Sequence, residues 1–158
     1  MESGKLEIVP NVGVHFRSIE RFIEKLDRGP YGGEYQRSIA TYAVNVGRLE
    51  QVSSERGFSF SPDHSQEFIL EECSRLADIF AGPGHQFASS IATYELLAPL
   101  LKRLVGTLGG NPERYASCLY LDGRPSSAVA FLNSIPEEHK PFVSGFAGPL
   151  RDLVQSAS

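Results

Sequence analysis

From Leu6 to Phe16 the chain alternates. Leu6, Ile8, Pro10, Val12, Val14 and Phe16 share one parity, with Glu7, Asn11 and His15 on the other. A two-residue period predicts extended backbone. Pro10 has no N–H to give a central ladder, so the segment reads as an edge strand or as an extended arm, residues 1–16, laid over the body. On that reading Val12 and Val14 are available to a partner, and trimming residues 1–16 leaves the body folded.

Beyond residue 16 the period becomes helical. Ile19, Phe22, Ile23 and Leu26 make one apolar stripe over 17–27, stopped by Gly29-Pro30-Tyr31-Gly32-Gly33. Tyr35, Ile39, Tyr42, Val46 and Leu49 then fall at alternating steps of four and three, which predicts a second helix over 34–55. Residues 57–61 read as a loop. Ser61-Pro62 reads as the cap and first turn of a third helix, with the stripe Ile69, Cys73, Leu76 and Phe80 and a stop at Ala81-Gly82-Pro83-Gly84. A fourth helix, 86–107, carries Phe87, Ile91, Tyr94, Ala98 and Leu101 inward. Asn111-Pro112-Glu113 starts another. The run 118–121 fits either a helix end or a short strand. A short helix over 126–133 follows, then one or two between 136 and 154 with a break at Gly148-Pro149.

Helices two and four share more than a period. Ser-Ile-Ala-Thr-Tyr occurs at Ser38–Tyr42 and again at Ser90–Tyr94, and the echo extends to Tyr35/Phe87, Leu49/Leu101 and the helix-perturbing pair Gly47/Pro99. This predicts related hairpins at 17–55 and 62–107, with a divergent part at 111–157. The expected fold class is all-α: a helical bundle or short stack of helical hairpins, of about six or seven helices, with an N-terminal extended arm. Residues 17–158 are expected to form a single all-helical domain. Asn45-Val46-Gly47-Arg48 resembles the Asn-Trp-Gly-Arg core of Bcl-2-family proteins over four residues, but the chain has no tryptophan. The polar run 53–64 also stands where that family's central apolar helix would follow, so the likeness assigns nothing.

Composition narrows the functional classes. The 158 residues carry 15 basic and 19 acidic side chains, a net charge of −4, which supplies no electrostatic pull toward nucleic acid or anionic lipid. No run approaches the length of an uncharged membrane helix, and Met1-Glu-Ser-Gly-Lys leads into no apolar signal core. The expected location is cytoplasmic, with delivery into a host cell without a classical signal left open. Two cysteines, Cys73 and Cys118, are too few for a disulfide scaffold and read as small buried hydrophobes in a reducing compartment.

Chemistry-bearing residues are sparse. His15, His64, His85 and His139 include no pair at metal-ligand spacing, so neither metal nor cofactor is expected. His85 follows Gly82-Pro83-Gly84 at the predicted entrance of the fourth helix, where free backbone amides would favour an anion. Adjacent acids at Glu71-Glu72 and Glu137-Glu138 diverge by about 100° on a helix and cannot converge on one substrate. No set of catalytic residues is visible. The leading expectation is therefore a non-enzymatic protein–protein interaction module, of an adaptor, regulatory, immunity or effector type. Its partner would be another protein, not nucleic acid or membrane. Arg17, Arg21 and Lys25 on the first helix, with Val12 and Val14 on the arm, would form the contact surface, although Glu20, Glu24 and Asp27 interleave as a solvated, ion-paired face. The alternative is a small-molecule-binding protein or enzyme with a pocket between helices 34–55 and 86–107, lined by Tyr42, Tyr94, His85 and Asp78.

Overall fold

The computed structural model describes residues 4–28, 40–50, 57–107 and 110–157. In chain order the elements are β1 (Leu6–Ile8), β2 (Asn11–Val14), α1 (Arg17–Leu26), β3 (Tyr42–Asn45), α2 (Val46–Leu49) and β4 (Phe58–Phe60). Then come α3 (Gln66–Ile79), α4 (His85–Ser90), α5 (Tyr94–Leu104), α6 (Pro112–Leu121), α7 (Pro125–Asn133) and α8 (Lys140–Ser156). The protein is mostly helical, and among the described residues the short strands lie within the first sixty positions. Two compact units divide it: unit 1, Met1–Val14 with Ala43–Ile91, and unit 2, His15–Tyr42 with Ala92–Ser158.

Unit 1 is where the strands lie. Pro10 splits the alternating segment into two strands that go to different partners. β1 pairs antiparallel with β4, Leu6 opposite Phe60 and Ile8 opposite Phe58. β2 pairs with β3. Pro10 still contributes an acceptor, since its carbonyl takes the Val46 N–H at 3.1 Å and the Asn45 amide at 3.3 Å. Asn45 also caps α2, its Oδ1 accepting from the Gly47 N–H at 2.8 Å. The core is small: Val12, Val46, Phe58 and Ile79, with Leu49, Phe60, Leu76 and Phe87 packed around it.

Several expectations change in this unit. A strand occupies 42–45 where heptad spacing predicts helix, because β2 is there to pair with it and Tyr42 and Val44 suit a pleated ladder. Tyr35, Ile39 and the rest of 34–39 and 51–55 lie outside the described residues. Residues 58–60 form a strand rather than a loop. The third helix starts four residues late: Ser65, not Ser61, is its cap, the hydroxyl accepting from the Phe68 N–H at 3.2 Å.

Nor does that helix stop at Ala81-Gly82-Pro83-Gly84. Phe80–Gly84 form a π-helical turn, and the His85 N–H donates to the Phe80 and Gly82 carbonyls, so α3 runs through into α4. A widened turn absorbs a proline that has no N–H to offer. Gly84 is the residue that lets it seat: a Cβ there would lie 2.9 Å from the Ile79 carbonyl oxygen and 3.2 Å from a Val12 methyl.

Unit 2 is built from α1, α5, α6, α7 and α8 around one core. Ile19, Ile23 and Leu26 bury the predicted stripe of α1, and Leu97, Leu101, Leu132, Phe146 and Leu150 meet it from the other helices. Phe22 stacks on Tyr120 at 4.7 Å between ring centroids. The ambiguous run 118–121 is helical. α6 ends in a Schellman arrangement: Arg124 N–H to the Leu119 carbonyl at 2.9 Å, Gly123 N–H to the Tyr120 carbonyl at 3.1 Å, and Gly123 at φ 75°. α8 passes Gly148-Pro149 unbroken, against expectation, with Pro149 held inside the helix. The predicted fourth helix divides instead at Ile91–Thr93, where Thr93 caps α5 by accepting from the Leu96 N–H.

Within this core lies a buried polar set that α1's charge pattern conceals. Glu20 Oε1 accepts from the Thr41 hydroxyl at 2.7 Å and lies 3.0 Å from Arg114 Nε. The Nε contact is electrostatic, lacking the alignment of a hydrogen bond, while Arg114 Nη2 donates to Oε2 at 3.4 Å. Thr41 Oγ1 in turn accepts the Phe16 N–H at 2.9 Å. All three side chains are closed off from water. Glu20 sits on the flank of the Ile19–Ile23–Leu26 stripe, so it is not part of the solvated face predicted for it.

Glu113, half-buried beside this set, is held above the usual carboxylate range, chiefly by desolvation and secondarily by the negative charge of Asp27. A carboxyl with a raised folded pKa is unfavourable when ionised, and the deficit vanishes as pH falls through that value. Glu113→Gln should therefore raise the melting temperature at pH 7 and leave it unchanged below about pH 4, where the unfolded carboxyl is also protonated. Thermal melts of both proteins across pH 3.5–8 check this; a gain that persists at low pH would contradict it.

Candidate functional site

Unit 1 carries a concavity. It is an open groove of about 1110 Å³ along α3, lined by Glu50, Gln66, Glu67, Leu70, Glu71, Ser74, Arg75, Asp78, Ile79 and Pro83. Helical spacing builds it. Glu67, Glu71, Ser74 and Asp78 follow one another at steps of four, three and four, so they form one ridge of α3. Leu70 lies beside that ridge, 59% exposed, and Ile79 closes the floor at 5%. Of the fourteen residues of α3, Ile79 alone is buried, although the helix also carries Phe68 and leads into Phe80, both exposed.

Arg75 organises one wall. Its Nη1 donates to both Glu50 oxygens at 3.1 and 3.2 Å, and its Nε and Nη2 donate to Glu72 at 3.1 and 2.8 Å. The guanidinium also lies over the Phe58 ring, 4.1 Å from its centroid. Its pKa is raised above the ordinary value, with the Glu72 hydrogen bond as the largest cause. The cation is thus committed within unit 1. Glu67, Glu71 and Asp78 make no such bonds and face solvent.

Asp78 is the one predicted pocket residue in this groove. His85 is exposed at the start of α4, and the backbone amide that would have served an anion is already bonded within the π turn. Tyr42 and Tyr94 pack against the core of unit 2, where the Tyr94 hydroxyl donates to Ser18 at 2.6 Å. Of the helix 34–55 expected to wall a pocket against 86–107, residues 42–45 form β3, and 34–39 and 51–55 lie outside the described residues. Phe87 packs in unit 1 and Tyr94 in unit 2. The two copies of Ser-Ile-Ala-Thr-Tyr are not equivalent: the first runs into β3, and the second spans the break between α4 and α5.

Of the residues expected to meet a partner, Arg17, Arg21 and Lys25 are exposed on α1. Val14 is half-buried, and Val12, 7% exposed, is closed off in the core of unit 1 instead of being displayed. The groove itself is legible only in part: the sequence singles out Glu71 beside Glu72 and Asp78 as a pocket residue, but not Glu67 or Leu70. The available signal was the i, i+4, i+7, i+11 spacing of Glu67, Glu71, Ser74 and Asp78 opposite the Ile69–Cys73–Leu76–Phe80 stripe.

The cysteines divide. Cys118 is buried as expected, its thiol donating to the Tyr94 carbonyl at 3.4 Å, and burial pushes its pKa up to about 12. Cys73 is exposed on α3, contrary to its place in a predicted inward stripe. In native protein at pH 8, Ellman's reagent should label one thiol, at Cys73, and a second only after unfolding. Rapid labelling of Cys118 in folded protein would overturn this assignment.

Among the described residues no three His, Cys, Asp or Glu side chains are placed to hold a metal ion, and no helix is long and apolar enough to cross a membrane. No protein-family model matches the chain, and comparison with curated proteins and with solved structures finds no match.

Proposed function

We propose that this protein is a non-enzymatic protein–protein interaction module, of an adaptor, regulatory, immunity or effector type, and that the α3 groove of unit 1 is its contact face. The observation that carries this reading is an open groove with Leu70 exposed in its lining, on a helix that also exposes Phe68 and leads into exposed Phe80. Exposed apolar side chains rimmed by charge are typical of surfaces that meet another protein. The groove holds a serine but no histidine to activate it, which favours binding over acyl transfer. Unit 2, which we read as a small helical bundle, would serve as the scaffold. Two free thiols fit a reducing, cytoplasmic setting.

Parallel affinity capture from the native host, with the wild-type chain and with Leu70→Asp, tests the proposal. Leu70 is exposed, so its substitution should leave the circular dichroism spectrum and melting temperature unchanged. A protein retained by the wild type and lost by the variant supports the reading. Identical captures would sink it.

A further inference from the structure

We infer that the α3 groove takes a cationic amphipathic helix from its partner, with an apolar side chain seated on Leu70 and Lys or Arg side chains set against Glu67, Glu71 and Asp78. This rests on the groove being the contact face and specifies what fills it.

Charge complementarity selects the occupant. The lining carries four carboxylates, Glu50, Glu67, Glu71 and Asp78, against one guanidinium, and Arg75 is already bonded to Glu50 and to Glu72 outside the groove. The net charge of the whole chain is −4, so three uncompensated negative charges on one helix ridge are a local concentration, not a reflection of general acidity. Glu67 and Glu71 stand at i, i+4, where like charges destabilise a helix. A partner cation between them removes that repulsion. A neutral or acidic partner would have to desolvate the carboxylates without replacing the lost water contacts.

Geometry selects the helix. The acidic ridge spans Glu67 to Asp78, roughly 16 Å at the helical rise. A second helix laid along it presents side chains at i, i+3 or i+4, and i+7 over the same distance. The groove is also long and open to solvent, whereas sites for small molecules enclose most of their ligand.

The test uses the full-length protein and a fluorescein-labelled synthetic amphipathic helix of lysine and leucine, followed by anisotropy. Saturable binding with a Kd of about 1–100 μM is expected, weakening as salt rises from about 50 to 200 mM. Glu67→Lys with Glu71→Lys should weaken it about tenfold or more; the same charge change at Glu95 and Glu138, exposed on unit 2, should alter it less than about twofold. Leu70→Asp separates groove docking from simple attraction, because it adds a negative charge while removing the apolar anchor. Docking predicts weaker binding and unspecific attraction predicts stronger. Equal losses from both lysine pairs, or tighter binding by Leu70→Asp, overturn the inference. If the lysine–leucine helix fails to bind but capture still yields a Leu70-dependent protein, the cationic helix is wrong and the interaction module stands. If both fail, both fall.

Discussion

Replacing Glu20 with alanine should destabilise unit 2 by about 3–5 kcal/mol, the usual consequence of leaving one partner of a buried ion pair uncompensated. Arg114 would remain enclosed, deprived of its carboxylate at 3.0 Å, and the Thr41 hydroxyl would lose its acceptor at 2.7 Å. Urea denaturation followed by helix signal measures the loss directly. The reverse substitution is equally informative. Because desolvation offsets much of the Coulombic gain in such a pair, Glu20→Leu combined with Arg114→Met should recover most of the stability lost in either single variant. A loss below about 1 kcal/mol for Glu20→Ala would place the pair among solvated surface bridges, contrary to its burial.

Deleting residues 1–14 should unfold unit 1, not leave it intact. The deletion removes β1 from β4 and β2 from β3, and takes Val12 out of a core of four buried side chains. It also exposes the π turn where Gly84 closes on Val12. A core this small has no surplus to lose. Hydrogen exchange should show protection lost across 43–91, including α3, while helices α6 to α8 retain theirs. Retained protection over 66–90 in the truncated chain would return the N-terminal strands to the status of a dispensable arm. It would also make α3 independent of them.

Both expectations depend on contacts that local pattern cannot encode. Glu20 looks like any surface acid in a run that alternates Arg, Glu, Arg, Glu. Only the arrival of α6, with Arg114 at a separation of 94 residues, turns it inward. The alternation of residues 6–16 was correctly extended, and Pro10 correctly excluded a single central strand. That the two pieces would pair with β3 and β4 was not readable, since neither partner announced itself as a strand.

The sequence by itself determined the predominantly helical character and most of the helices of the second half. Apolar periodicity, proline at first helical positions and the glycine after α6 act within a few residues and survive any packing. Tertiary structure alone decided the fate of 42–45, the continuity of α3 through Pro83, the split at Ile91–Thr93 and the exposure of Cys73 and Phe80 on a stripe predicted to face inward. In each case local pattern left the outcome open, and a ladder partner or a packing neighbour decided it. The groove has the same origin: helical spacing draws its acidic ridge, and the described residues leave that ridge open to solvent.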